Sequence, residues 1–157
     1  MVKKQEVSRQ PLKMVDISGK PVVKRTAEAE GKIWLQPETI KRMRRGSIEK
    51  GDVLSAANIA GILAAKKTPE LLPLCHIIPL STVDISFNFH EENVTAKCTV
   101  VGKCKTGVEM EALVGVCTAL LTIWDMVKSL EKNERGQYPH AKITDVKVSK
   151  KIKEKLT

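Results

Sequence analysis

Apolar and polar residues alternate strictly along two neighbouring segments of the chain, residues 83–89 and 94–100. A period of two is typical of strands that bury one face and expose the other. Phe87 and Phe89 share the apolar side of the first segment, which predicts that both rings belong to the core. The residues between the two segments are mostly polar, so we predict a hairpin loop there.

Three other segments have the spacing and end signals of helices. The longest covers residues 108–132, and its middle third has no charged residue, so we expect it to be buried on more than one side. A second helix is predicted to run to about residue 67 from a cap supplied by Asp52 or Ser55. Residues 38–45 form a predicted short helix that begins after a proline and ends before a glycine.

Residues 22–35 and 141–149 complete the pattern as the first and last predicted strands. Without the short helix, the order of elements is βαββαβ. We therefore predict an α+β, ferredoxin-like fold: a four-stranded antiparallel sheet with helices packed on one face, plus an extra short N-terminal helix. Residues 1–157 are predicted to form a single domain with a loose N-terminal arm (1–20) and a basic C-terminal tail (149–157).

The number of Val, Ile and Phe residues looks too large for one side of such a sheet, so we expect the other face to need cover. A helix that is apolar nearly all round points in the same direction. Both features predict a homo-oligomer.

The chain is basic, with a formal net charge of +9 and a pI near 9.5, which predicts an anionic partner. No uncharged apolar run is long enough to span a membrane, and no secretory signal precedes the domain, so a cytoplasmic protein is expected. The four cysteines lack the spacing of a zinc site and are expected to be reduced.

Two fragments could form a ligand pocket. Leu74, Cys75 and His76 lie between two prolines, where the histidine is either a fixed acid, base or phosphate donor, or an ordinary buried side chain. Glu109 and Glu111 follow a Thr-Gly turn at the start of the longest helix. They could stabilise the helix dipole, or accept hydrogen bonds from the amino and ring N–H groups of a purine-like ligand.

Two further fragments could carry chemistry: Lys128 beside Asp125 could act as an acid or base, and Lys50 beside a helix N-terminus could bind phosphate. Asp125 and Lys128 lie three residues apart near the end of the longest helix, and Lys50 precedes the start of the second helix. A surface ion pair and an ordinary loop lysine are the simpler interpretations. Glu111 and Asp125 are separated by about 21 Å at about 1.5 Å per helical residue, so one small ligand cannot easily touch both in one subunit. If both ends of the helix are functional, we expect a site shared between subunits.

Several motifs together resemble the cyclic pyranopterin monophosphate synthases, the molybdenum cofactor biosynthesis protein C family. The resemblance covers about residues 14–148. Its motifs are MVDIS at 14–18, KGDV at 50–53, IAGI at 59–62, LPLCH at 72–76, KTGVEMEAL at 105–113 and ALLTIWDMVK at 119–128. It implies a ferredoxin-like subunit, dimers assembled into a hexamer as a trimer of dimers, and a site at the dimer interface. It also implies that (8S)-3′,8-cyclo-7,8-dihydroguanosine 5′-triphosphate is converted to cyclic pyranopterin monophosphate with release of pyrophosphate, a lyase reaction.

The resemblance also implies residue roles. Lys50 and Lys128 would be the general acid and base, in an order that remains open, with Asp125 as the partner of Lys128. His76 would contact phosphate or assist proton transfer, and Arg25 would lie near the triphosphate. The implied lining of the base or pterin pocket is Leu74, Cys75, Met110 and Glu111, with Glu109 close by.

The resemblance weakens at the C-terminus. Many family members carry a glycine-rich KSGGKSG stretch there, whereas residues 146–153 of this chain read VKVSKKIK. The charge is kept and the glycines are absent, so no tail residue is assigned a catalytic role.

No cofactor is expected to be required, although Mg²⁺ could accompany the substrate triphosphate, and no protein-held metal is expected. Beyond the substrate and further copies of the chain, the radical enzyme that makes the substrate is a candidate partner. A nucleic-acid-binding module is the main rival. The aromatic content of 3% and the core positions of Phe87 and Phe89 argue against it, because RNA-binding sheets stack bases on exposed rings. A catalytically inactive paralogue is the second rival. No nucleic acid or membrane partner is predicted.

Overall fold

The computed structural model describes residues 10–156 of the chain. These residues contain four strands and four helices, one more helix than the sequence predicts. In chain order they are β1 (Val23–Trp34), α1 (Pro37–Arg44), α2 (Val53–Lys66), α3 (Thr68–Leu71), β2 (Leu80–Phe89), β3 (Asn93–Cys104), α4 (Glu109–Glu131) and β4 (Lys142–Glu154). The additional helix, α3, is a single turn that begins at a threonine-proline pair.

The strands form one antiparallel sheet in the order β2-β3-β1-β4. Strands β1 and β3 are paired in unbroken register from Val23 opposite Cys104 to Trp34 opposite Asn93. The predicted α+β, ferredoxin-like βαββαβ fold is therefore confirmed. Strands β1, β2 and β3 are placed by their alternation of apolar and polar positions, since a shift by one residue would turn the apolar side to solvent.

The helices α2 and α4 cover one face of this sheet and enclose the core. Buried positions alternate along β1 and β3, and they include Ala29 and Ile33 on the former and Val94 and Cys98 on the latter. Phe87 and Phe89 of β2 pack against the same core from its edge, which confirms their predicted side of the strand. Helix α4 lies centrally, packed on β1, β3 and α2.

The opposite face of the sheet is polar. Glu28 and Lys97 form an ion pair of 2.6 Å across β1 and β3. Glu30 forms a second ion pair, of 3.2 Å, with Lys147 of β4. The prediction that this face needs an apolar cover is wrong. Nearly all the apolar strand positions point to the helix side. Many of them are small core residues such as alanine and cysteine, which let the helices pack closely on this face.

A pair of glycines allows α2 and α4 to approach each other closely. A Cβ atom on Gly61 would lie 2.8 Å from the carbonyl oxygen of Gly115 and would also overlap the Ile85 side chain of β2. Gly61 therefore marks a close contact of α2 with both α4 and the sheet. Asp52 is the N-cap of α2 and accepts hydrogen bonds from the backbone N–H groups of Leu54 and Ser55, so the first of the two predicted caps is correct.

The two ends of the chain differ in how far the predictions apply. Residues 1–9 of the predicted N-terminal arm lie outside the described residues, and residues 10–22 contain no helix or strand, only a turn near Ser18. The boundary of the predicted tail is wrong at the C-terminus. Strand β4 continues to Glu154, pairing Lys151 with Ala27 and Lys153 with Arg25, so most of the basic tail belongs to the sheet. A lysine-rich edge strand is a common protection against edge-to-edge pairing.

Helix α4 is long and apolar enough to cross a membrane by length and composition alone. Its buried positions, including Val116, Leu120 and Ile123, instead pack against the sheet and α2. The helix is therefore the core helix of this α+β domain, as its uncharged middle predicts.

Candidate active site

The predicted site residues lie in two groups at opposite ends of α4. The first group surrounds the N-terminal end of the helix and consists of Arg25, Leu74, Cys75, His76, Glu109, Met110 and Glu111. The second lies near its C-terminal end and consists of Lys50, Asp125 and Lys128. None of the second group lines the cavity of the first. The spacing argument is therefore consistent with the structure, since one chain does not bring both groups into one pocket.

The second group is a carboxylate bridged by two lysines, which we call the lysine pair site (Lys50, Asp125, Lys128). The Lys128 Nζ atom lies 2.7 Å from one oxygen of Asp125, and the Lys50 Nζ atom lies 2.8 Å from the other. Lys50 also donates to the backbone carbonyl of Asp125 at 2.9 Å. The loop between α1 and α2 delivers Lys50 next to Gly51, whose φ of 102° is strained for other residues.

The charges of this site are strongly coupled. Hydrogen bonds from Lys128 and then Lys50 lower the pKa of Asp125 to about 2, so its carboxylate is ionised at any working pH. The hydrogen bond to Asp125 raises the pKa of Lys128 above its ordinary value. The site is exposed in the single chain, with 46% of the Lys128 side chain accessible, so the hydrogen bond to Asp125 outweighs the desolvation that lowers a lysine pKa.

The first group surrounds a cavity of about 400 Å³. Five predicted residues line it: Leu74, Cys75, His76, Met110 and Glu111. Arg25 and Glu109 do not line it. Sequence reasoning missed that the segment before β1 also lines the cavity, with Lys13, Val15, Ile17 and Lys20. The prediction of this segment as a loose arm concealed that contribution. The MVDIS motif is the signal that could have found it.

Glu111 has the properties of a ligand-binding carboxylate. It is 2% exposed, its Oε2 atom has no hydrogen-bond partner among the described residues, and burial raises its pKa. Glu109 differs: burial opposes its ionisation, but the ion pair with Lys151 contributes to a lowered pKa. The N-cap of α4 is Val108, which forms no side-chain cap. The burial of the unpartnered Glu111 oxygen is costly for the helix alone, and a donor group of a ligand would satisfy it.

The raised pKa of Glu111 gives a testable pH dependence. The folded chain holds this proton more tightly than the unfolded chain, so Glu111 opposes folding as the pH rises through its folded pKa. We expect Glu111→Gln to increase the free energy of unfolding by about 1 kcal/mol at pH 7 and to have little effect near pH 4. Guanidinium chloride unfolding curves at both pH values measure this difference.

Glu109→Gln is the matched control, because the pKa of Glu109 is lowered in the folded chain. This variant should lose stability at pH 7, the opposite sign. An unfolding midpoint of Glu111→Gln at or below that of the parent chain at pH 7 would show that the carboxylate has a partner.

His76 forms a hydrogen bond with the backbone of its own chain. Its Nε2 atom lies 2.8 Å from the carbonyl oxygen of Val15, in the segment that lines the cavity. The side chain is partly exposed, so the simple alternative of a fully buried histidine does not describe it. Among residues 10–156, no group of three His, Cys, Asp or Glu side chains is arranged to hold a metal ion.

Comparison with known proteins gives a consistent result along the whole fold. The model of the MoaC family matches residues 14–154. A probable cyclic pyranopterin monophosphate synthase of Pyrococcus abyssi is 62% identical over 147 residues, covering 94% of this chain and 92% of the relative. One of Saccharolobus solfataricus is 57% identical, covering 91% and 96%. A probable cyclic pyranopterin monophosphate synthase accessory protein of Methanothermobacter thermautotrophicus is 54% identical, covering 92% and 91%. The chain therefore belongs to the MoaC family.

Proposed function

We propose that the protein is a cyclic pyranopterin monophosphate synthase of molybdenum cofactor biosynthesis. It is a lyase that converts (8S)-3′,8-cyclo-7,8-dihydroguanosine 5′-triphosphate to cyclic pyranopterin monophosphate and releases pyrophosphate. The observation that carries this proposal is the lysine pair site, in which Asp125 holds Lys50 and Lys128 within hydrogen-bond distance. The names of the relatives across nearly the full chain support the same reaction.

The cavity at the N-terminal end of α4 suits the guanine-derived part of the substrate. The unpartnered carboxylate oxygen of Glu111 can accept hydrogen bonds from the amino and ring N–H groups of the base. Leu74 and Met110 supply apolar surface, since both are more than 40% exposed at the cavity. His76 would supply a hydrogen-bond donor, and Arg25 positive charge, for the triphosphate. The base would thus bind to Glu111 with its phosphates directed to the basic rim.

The lysine pair site suits the chemistry. Rearrangement of the fused rings moves protons between carbon, nitrogen and oxygen, and two lysines can donate and accept them. The cyclic phosphate forms when a sugar hydroxyl oxygen attacks the α-phosphorus, the bond to the β-phosphate oxygen breaks, and pyrophosphate leaves. A lysine that has lost its proton takes the hydroxyl proton, and the neighbouring positive charge stabilises the leaving group.

These two groups would meet across an interface between two copies of the chain. Apolar side chains on the helix side of the domain support such an interface, because Ile59, Leu63 and Leu121 are each more than half exposed in the single chain. Burial by a second copy would also desolvate Lys128 and bring its pKa towards the working range. We propose a homohexamer built as a trimer of dimers, active in the cytoplasm, that receives its substrate from the radical enzyme which makes it. No cofactor is proposed beyond Mg²⁺ carried by the triphosphate.

A single-turnover assay tests this proposal. Purified protein in excess is mixed with the cyclised dihydro-GTP, the pterin product is oxidised to its fluorescent form, and pyrophosphate is counted in parallel. We expect one pyrophosphate for each pterin. A folded protein that yields neither, and binds RNA tightly in a salt-sensitive manner instead, would overturn the proposal in favour of the nucleic-acid module.

A further inference from the structure

Residues 13–20, which we call the N-terminal strap, form part of the wall of the cavity at the N-terminal end of α4. The strap contributes Lys13, Val15, Ile17 and Lys20 to the cavity wall. A second cavity of about 570 Å³ is also lined in part by the strap, through Met14 and Ile17. The strap therefore borders two neighbouring cavities, and it belongs to no helix or strand.

Apolar packing holds the strap only weakly. Val15 is 65% exposed and Met14 is 48% exposed, so neither side chain is inserted into the core. Within the strap, the backbone is ordered by a turn in which the Lys20 N–H donates to the carbonyl of Ile17. Asp16 accepts a hydrogen bond from the backbone N–H of Ser18 at 2.8 Å. These bonds shape the strap but do not attach it to the rest of the domain.

Two side chains attach the strap to the body of the domain. His76 meets the carbonyl oxygen of Val15 at 2.8 Å, and Lys105 donates to the carbonyl oxygen of Ser18 at 2.6 Å. After the hydrogen bonds from Ser18, the positive charges of Lys105 and His76 further lower the pKa of Asp16. Both anchors therefore hold a backbone carbonyl of the strap and also favour the ionised form of its carboxylate.

Lys105 differs from the residues that surround the substrate cavity. It follows directly on β3, a strand paired on both sides, so its backbone is rigid. Its side chain does not line the cavity, whereas Thr106 and Gly107 beside it do. A hydrogen bond from a charged lysine to a backbone oxygen is stronger than one between neutral groups. The Lys105 side chain thus reaches the cavity wall through its hydrogen bond to the strap.

We propose that Lys105 is a positioning residue that holds the N-terminal strap closed over the substrate cavity. The effect of Lys105 on substrate binding rests on the proposed function, whereas its effect on the position of the strap does not. Closure keeps Lys13 and Lys20 at the rim, where their charges face the bound anion. Loss of the anchor should leave the proton-transfer groups intact and weaken the retention of substrate.

Proteolysis of the free protein tests the anchor without any assay of activity. Thermolysin cuts at apolar residues, and the strap carries Met14, Val15 and Ile17. We expect Lys105→Met to be cleaved in the strap about tenfold faster than the parent chain, because an open strap is cut in proportion to its population. Lys105→Arg, which keeps the charge and the donor, should stay within about twofold of the parent rate.

Steady-state kinetics then separate positioning from chemistry. For Lys105→Met we expect KM for the cyclised dihydro-GTP to rise about tenfold, with kcat within about twofold, and for Lys105→Arg to restore KM. Lys103→Met is the matched control. Lys103 is an exposed residue of β3, two positions before Lys105, so this variant removes the same charge without touching the strap anchor. It should leave both the cleavage rate and KM within about twofold of the parent values.

The outcomes are distinct. Equal cleavage rates for Lys105→Met and Lys103→Met would overturn the anchor, whatever the enzyme does. Faster cleavage with an unchanged KM would overturn the link between the strap and substrate. A parent chain that makes no pterin would refute the proposed function, while the cleavage comparison would still decide whether Lys105 holds the strap.

Discussion

We expect the Lys128→Met and Lys50→Met proteins to turn over about a thousandfold more slowly than the parent chain, with little change in stability. Both lysines contact the same carboxylate, so removal of either leaves Asp125 with one partner and the site with one proton-transfer group. Both side chains are nearly half exposed, so their loss creates no cavity in the core. Single-turnover rates of pterin formation measure the effect.

Lys132→Met is the control for charge alone. Lys132 is exposed one turn beyond Lys128, directly after the end of α4, and it should keep the parent rate within about twofold. Rates for Lys128→Met or Lys50→Met within tenfold of the parent, in folded proteins, would remove the lysine pair site from the chemistry. A loss in all three variants would instead indicate a general requirement for positive charge.

The fold could be predicted because its alternation is regular. Apolar and polar residues alternate without exception over residues 83–89 and 94–100, which predicts the two strands. The uncharged middle of α4 has the length of a core helix, which predicts the helix. The cover expected for the second sheet face was wrong because composition counts apolar residues without assigning sides. Small residues such as Ala27 and Ala29 let the helices lie close enough to bury one face fully.

The ends of the sheet were harder to predict. Lysines recur along β4 from Lys147 to Lys153. In the sequence alone, such a concentration of charge resembles a solvated tail. Only its partner strand shows that these side chains alternate across a sheet, with Lys147 on the open face and Lys151 reaching Glu109 on the other. Strands β1 and β4 pair although they are more than a hundred residues apart, and such distant pairing has no signal in the local sequence.

Much of the candidate site could be predicted residue by residue, but its grouping could not. The spacing of Glu111 and Asp125 along one helix predicted two separate places. Nothing local linked Lys50 to Asp125, which lie 75 positions apart and meet because the α1–α2 loop passes the end of α4. The N-terminal strap was missed because a segment without periodic apolar positions reads as a loop whatever it covers. The catalytic roles of these residues stay predictions.

A mixture of two inactive variants should regain activity. His76→Ala damages the cavity at one end of α4, and Lys128→Met damages the lysine pair site at the other. If every site takes one end from each of two copies, random pairing gives about one intact site in four. We therefore expect a one-to-one mixture, unfolded and refolded together, to recover about a quarter of the parent rate.

The activity of this mixture tests the shared site most directly. The control mixes Lys50→Met with Lys128→Met, both damaged at the same end, and should stay inactive because no pairing restores a whole site. Recovery to about a quarter in the first mixture alone is the result predicted here. A first mixture no more active than its two components, although mass spectrometry shows mixed oligomers, would contradict a site built from two copies of the chain.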